Sequence, residues 1–166
     1  MYDRAIEELA RALAMDSLSA PAHSGLGEIY ELTGNDEEAL SHYLRVVSLT
    51  GGSFSTLRGT VAGAEERLRN AYRQGGWKGY WTEQLALLSG NEGAASAYHV
   101  ASIYARLGKA DEAFHWLREA VTTRSTYLLF VNVDPVVRPL KGDPRFASIL
   151  QTVGLSPPPG ILPEGL

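Results

Sequence analysis

Apolar positions recur along this chain at helical rather than strand intervals. From Tyr2 to Met15, Ile6, Leu9 and Leu13 advance by three and four residues, which places them on one helical face. The segment 20–49 carries Leu26, Gly27 and Tyr30, then a break at Gly34, Asn35 and Asp36, then Ala39 and Tyr43. That order predicts two helices joined by a tight turn. Between Phe54 and Tyr72, the residues Leu57, Val61, Ala64, Leu68 and Ala71 advance by 4, 3, 4 and 3, a further apolar stripe. Gln74, Gly75 and Gly76 interrupt it. Trp77, Trp81, Leu85 and Leu88 then line the face of another helix, which Ser89, Gly90 and Asn91 close. A last pair is expected over 94–122, with Val100, Ala101 and Tyr104 before Gly108, and Ala113, Leu117 and Ala120 after it.

These stripes share a register. Ala5, Leu9 and Ala12 return 34 residues later as Ala39, Tyr43 and Val46, and both Gly27 to Ala39 and Ala101 to Ala113 are 12 residues. Small residues at such points let two antiparallel helices approach, while Tyr30, Tyr43, Tyr104 and Leu117 fill the space beside them. Gly34 and Gly108 suit the left-handed residue that ends a helix, and Asp36 and Asp111 fall in the first turn of the next, where negative charge is favourable. A helix–turn–helix unit of about 34 residues with these features resembles the tetratricopeptide repeat.

The resemblance implies an all-α fold: an antiparallel helix-pair solenoid, a tetratricopeptide-like superhelix, with the first helix of each pair lining its concave side. It organises the chain as one helical domain, 1–155, made of a partial repeat at 2–15, a repeat at 20–49, a degenerate helical pair at 53–90, a repeat at 94–122 and a C-terminal cap at 126–155. Residues 156–166, rich in proline and glycine, read as a flexible tail. Ala39 and Ala113 are 74 residues apart, one period of 34 plus 40, so the central pair is enlarged. The first unit is represented by its second helix alone, which suggests a fragment of something longer, or a partner that covers the exposed edge.

After Val121 the pattern changes. Thr126 to Val131 is a short apolar run, read as a helical turn or an extended packing segment. Asp134-Pro135 and Asp143-Pro144 can each serve as N-cap and first helical residue. The second opens a helix through Arg145, Phe146, Ile149 and Leu150, which Gly154 ends. The stretch from Asn132 to Phe146 resembles the closing segment of tetratricopeptide regions in multidomain bacterial regulators. In that group such arrays follow winged-helix, protein-kinase or nucleotide-cyclase domains. The resemblance implies the sensory or regulatory part of a larger signalling or transcription-regulator polypeptide.

Composition narrows the function classes. A hydrophobic share of 45% with 20% charged residues is ordinary for a globular chain. The net charge of −4 offers no positive field for polyanions, so nucleic acid is a disfavoured partner. With no cysteine there is no disulfide, thiolate nucleophile or cysteine-ligated metal. No apolar run approaches membrane-spanning length, and Tyr2, Asp3 and Arg4 do not resemble an export signal, so no membrane association and a cytoplasmic location are expected. His23, His42, His99 and His115 show no pair at helical ligand spacing, and no metal or cofactor is expected. Glu37 and Glu38, like Glu65 and Glu66, are adjacent and point apart on a helix. Ser41 beside His42 and Ser96 near His99 have no nucleophile elbow or acid partner in view. The glycines form neither a dinucleotide nor a phosphate loop. The chain is therefore expected not to be an enzyme.

What remains is a binding surface for a protein or peptide. By repeat position the groove candidates are Ser24, Glu28, Glu31 and Leu32 on the first full unit, and Tyr98, Ser102, Ala105 and Arg106 on the later one. The family's best-known mode clamps a carboxylate with Lys, Asn and Arg, but Ser24, Glu28, Tyr98 and Ser102 hold the corresponding places here. Residues 1–48 contain 9 acidic and 3 basic residues, which favours a neutral or basic partner. Two other readings stand beside this one. The helices form a structural spacer or dimerisation arm that self-associates through its first helix, or the insertion 58–81 contacts single-stranded nucleic acid. That insertion interleaves Arg58, Arg67, Arg69, Arg73 and Lys78 with Tyr72, Trp77, Tyr80 and Trp81. Charge pairing of Glu65 and Glu66 with Arg69, and burial of the indoles beside Leu85 and Leu88, account for the same residues.

Overall fold

The computed structural model describes residues 2–50, 63–88 and 97–155. The expectations placed on Leu57, Val61 and Arg58, on the break at 89–91, and on the tail 156–166 lie outside the described residues. Among those described, every regular element is helical. The chain divides into two compact units, Met1–Ala94 and Ala95–Leu166.

The first unit holds α1 (Asp3–Met15), α2 (Ala20–Thr33), α3 (Asp36–Thr50) and α4 (Ala64–Leu88). Ser19 caps α2, its side chain accepting from the amide of Ala22, with Pro21 in the first turn. Gly34 ends that helix at φ +77°, in the left-handed region where a Cβ is penalised. Three acidic residues, Asp36, Glu37 and Glu38, then open α3 against the positive end of its dipole. The two helices pack closely because a side chain is missing at Gly27. A Cβ built there would stand 2.9 Å from the Tyr43 ring. Ala39 is fully buried (0% exposed).

Ala39→Leu is therefore expected to overpack this contact, at a cost of about 1–3 kcal/mol. Glu37→Leu on the exposed side of α3 should lie within about 0.5 kcal/mol of the parent. Equal melting temperatures for the two variants would contradict the register.

Helix α4 is two helices in sequence. At Gly76 the backbone takes φ +57° and ψ −149°, a conformation essentially confined to glycine. The chain doubles back there so tightly that a Cβ on Gly79 would lie 2.2 Å from the carbonyl oxygen of Ala71. The interruption read at Gln74, Gly75 and Gly76 is thus a hairpin. Its second arm buries Tyr80, Trp81, Leu87 and Leu88.

The second unit pairs α5 (Ala97–Arg106) with α6 (Ala110–Thr122) and closes with α7 (Pro144–Thr152). Gly108 repeats the left-handed end of Gly34 at φ +70°. Ala101, Ala113, Phe114, Leu117 and Leu150 are fully buried in one core with Tyr98, Val131, Val137 and Phe146. The apolar run after α6 is a 3-10 helix, Thr126–Phe130. It buries Leu128 and leaves Tyr127, Leu129 and Phe130 exposed, because a three-residue repeat turns successive side chains in three directions.

The two Asp-Pro steps do different work. Asp143 is the N-cap of α7, accepting from the Arg145 amide at 2.9 Å. Asp134 opens no α-helix, contrary to the expectation that its Asp-Pro step caps one. Its Oδ1 accepts from the Val136 amide at 2.8 Å and its Oδ2 from the Tyr98 hydroxyl at 2.6 Å, which tie a turn to α5. Arg145 lies 4.2 Å above the Phe114 ring centre and pairs with Asp143 and Asp111, each at 2.7 Å. The hydrogen bonds from Arg145 hold the Asp143 carboxyl below its usual range.

Candidate functional site

Repeat position assigns eight residues to a binding groove, and the fold gives them unequal surroundings. On α2, Ser24 and Glu28 are half-buried and Leu32 is exposed. Glu31 is committed internally: its carboxylate accepts from the Tyr43 hydroxyl at 2.7 Å and from the Trp81 indole N–H at 3.0 Å. It joins α2 to α3 and α4. A glutamate this close to two donors acts as a structural acceptor.

On α5 the difference is larger. Tyr98, Ser102 and Ala105 are each only 6% exposed, and Tyr98 and Ala105 belong to the core of the second unit. Ser102 donates to the backbone carbonyl of His99 at 2.7 Å. Arg106 is half-buried and is the most accessible of the four α5 candidates. The physical reason is that α5 is apolar around most of its circumference. Val100, Ala101 and Ile103 are buried as well, so the core claims the face that repeat position assigns to a ligand.

The basic–aromatic segment shows mostly internal pairing. Arg69 meets Glu65 at 2.9 Å, as the spacing predicts, and Arg67 meets Glu83 across the hairpin at 2.6 Å. Trp81 is buried and Trp77 is half-buried, its indole N–H donating to Asp36 at 3.0 Å. Tyr43, Tyr72, Trp77, Tyr80 and Trp81 form a continuous set of edge and tilted ring contacts, with centroids 4.8–5.9 Å apart from Tyr72 to Trp81. Rings that serve one another in this way are not splayed for stacking on bases. Arg73 and Lys78 are exposed.

One arrangement has no signature within any single helix. His23 on α2 and His42 on α3, 19 residues apart, bring their Nδ1 atoms to 2.8 Å. Helical spacing within one element could not reveal a pair built across two. Beside it opens a cleft of about 590 Å³ whose lining includes Ser17, Ser41, Arg45, Ser48, Glu37 and Glu65. His42 is held below its usual pKa first by burial and then by the charge of His23, with Glu38 opposing.

His99 is also displaced, to about 3, first by burial and then by Arg106. Its folded pKa lies below the unfolded value near 6.5, so it stays neutral when folded while the unfolded chain takes up a proton. Stability from this group is complete above about pH 6.5 and is lost as pH falls toward 3. His99→Gln is expected to flatten the pH dependence of unfolding across that window, and an unchanged slope would contradict the assignment.

Among the described residues no helix is long and apolar enough to cross a membrane. No curated protein and no solved structure matches the chain. Residues 2–54 and 94–127 each match a family model of the tetratricopeptide repeat, and proteins built on such repeats are generally protein-interaction modules and typically non-enzymatic scaffolds. The two matches cover just over half of the 166 residues, one across α1 to α3 and one across α5 and α6. The helix pairs, their glycine stops and these matches coincide: the chain belongs to the tetratricopeptide-repeat family.

Proposed function

We propose that this chain is a protein-interaction scaffold without catalytic activity of its own, binding a protein or peptide on the first helices of its repeats. The observation that carries this is the recurrence of one helix-pair geometry, α2 with α3 and α5 with α6, in a family whose members generally bind proteins. The contact residues are Ser24, Glu28 and Leu32 on α2 and Arg106 on α5. Glu31, Tyr98, Ser102 and Ala105 support them from within. The acidic start of α3 favours a neutral or basic partner surface. The similarity of Asn132 to Phe146 to regulator repeat regions supports a role in bacterial cytoplasmic signalling or transcription regulation.

The test is retention of a defined protein or peptide by the purified chain, compared with a Glu28→Ala, Leu32→Ala, Arg106→Ala variant. At least a tenfold loss of affinity with unchanged melting temperature is expected. Undiminished binding by the folded triple variant would remove the surface assignment.

Self-association is a second reading, favoured by a specific observation. Helix α1 has no buried residue, and Ile6, Leu9 and Leu13 on its apolar stripe are only half-covered. Met15 and Leu18 are 90% and 59% exposed. Surfaces of this kind are commonly covered by another chain. Sedimentation should show concentration-dependent association that Leu13→Glu weakens, and a strict monomer at high concentration would exclude it.

A further inference from the structure

Two imidazoles of the first unit meet without a repeat function to account for them. His23 on α2 and His42 on α3 face each other through their Nδ1 atoms at 2.8 Å, with ring centres 5.1 Å apart. This is a hydrogen bond between two nitrogens, so a single hydrogen lies between them, donated by one ring and accepted by the other. Nε2 of His23 lies 3.3 Å from the carbonyl oxygen of Ser17, in the loop between α1 and α2. A carbonyl only accepts, so His23 carries its proton on Nε2 and offers a lone pair at Nδ1, and His42 donates from Nδ1. One chain of hydrogen bonds thus runs from the α1–α2 loop through α2 to α3. Helix α1 depends on such ties. It has no buried residue, and its Leu9 rests on the bare backbone of Gly25, where a Cβ would stand 3.0 Å from the Leu9 side chain.

We propose that the His23–His42 contact is a proton-operated latch, which ties the α1–α2 loop and α2 to α3 while the pair holds at most one added proton, and which opens and releases α1 when both rings are charged. The proton count follows from the geometry. In the neutral pair Nε2 of His23 and Nδ1 of His42 carry the hydrogens. One added proton fills Nε2 of His42 and still leaves a single hydrogen between the two Nδ1 atoms, now in a charge-assisted bond. A second has only the accepting Nδ1 of His23 to enter. It would set two N–H groups and two positive charges against each other across 2.8 Å, so the contact is lost.

The surroundings admit the first proton and resist the second. Glu38 on α3 favours a charged His42. Glu37 on α3 and Glu65 on α4 line the adjoining cleft with the same sign, while Arg45 on α3 and Arg69 on α4 oppose them, Arg69 lying 2.9 Å from Glu65. From α2 the ring of Tyr30 stacks on His42, with 5.6 Å between centres and 12° between planes. Asp16, beside Ser17 in the α1–α2 loop, is turned to the Leu18 amide at 2.9 Å. Burial and then the charge of His23 hold His42 below its usual range, so the unfolded or opened chain takes up protons that the latched pair refuses. Stability from the latch is therefore complete above the unfolded value near 6.5 and is lost as pH falls below it.

The test follows the imidazole nitrogen resonances and the amide exchange of the full chain as pH is lowered from about 7.5 to about 4.5. Near neutral pH a scalar coupling between the two Nδ1 nuclei is expected, with His42 protonated on Nδ1 and His23 on Nε2. The pair should then titrate in two steps separated by at least about one pH unit. Across the lower step the coupling should vanish, and protection of the α1 amides, measured against the unfolded chain at each pH, should fall about tenfold or more. In His23→Asn the amide oxygen takes the place of Nδ1, accepts from His42 and takes up no proton, so α1 protection should stay level over the same range. His99, in the second unit, is common to both proteins and cancels from the comparison. An equal loss of α1 protection in folded His23→Asn would overturn the proposal. If that variant folds poorly, the unsubstituted protein decides: two rings that titrate independently, no coupling between them, or α1 protection that does not vary with pH would each overturn it.

Discussion

Trp81→Ala is expected to lower the stability of the first unit by about 3–5 kcal/mol, the range for deleting a large buried aromatic. The indole is 2% exposed, meets the rings of Tyr43 and Tyr80 at 5.1 and 4.9 Å, and donates to Glu31 at 3.0 Å. Its removal leaves a cavity beneath α2 and α3 and takes one donor from a partly buried carboxylate. Trp81→Phe separates the two effects. It retains most of the ring volume and loses the indole N–H, so a cost of about 1.5–3 kcal/mol is expected, the amount of a hydrogen bond to a charged group. Denaturant unfolding with amide exchange on α2 and α3 measures both. If Trp81→Ala proved no worse than Trp81→Phe, the packing contribution would be absent.

Gly79→Ala should be strongly destabilising, and Gly75→Ala mildly stabilising. A methyl group on Gly79 would lie 2.2 Å from the Ala71 carbonyl oxygen, a backbone atom that can retreat only if the α4 hairpin opens. Overpacking usually costs about 1–3 kcal/mol, and a clash with fixed backbone belongs at or above the top of that range. Gly75 has nothing within 4 Å of its would-be Cβ and no positive φ. Alanine there stabilises by up to about 1 kcal/mol by restricting the unfolded chain. Thermal unfolding of the two variants should therefore move in opposite directions. A shared direction and size would show that the hairpin is looser than this contact requires.

The loss or retention of legibility follows from where each interaction sits along the chain. Helix pairs were legible because the rules behind them are local. A 3.6-residue stripe, a glycine that tolerates φ +77° or +70°, and an acidic first turn act within a few residues of one another. The small residues at Gly27, Ala39, Ala101 and Ala113 added register, since close helix approach requires them at matched intervals. The same logic anticipated the Glu65–Arg69 pair and the Asp143 cap.

The candidate site was less legible. Repeat position ranks residues by where an ideal repeat would point them, but Glu31 was drawn inward by two donors, one of them 50 residues away. Tyr98 was drawn inward by Asp134, 36 residues on. Asp134 and Asp143 begin similar tripeptides, yet only the second caps an α-helix, because the first is held by that tyrosine and by the Val136 amide. The imidazoles of His23 and His42 lie on different helices, so no spacing within either helix announces their meeting.

By itself, then, the sequence determined the helical class, the helix-pair period and the stops between helices, because steric and dipolar preferences of neighbouring residues set them. Only the tertiary structure decided which repeat positions remain exposed, which polar groups are consumed as internal acceptors, and which distant side chains come into contact. Those outcomes depend on competition among many partners for the same buried space and the same hydrogen-bonding groups, and that competition exists only once the helices are packed.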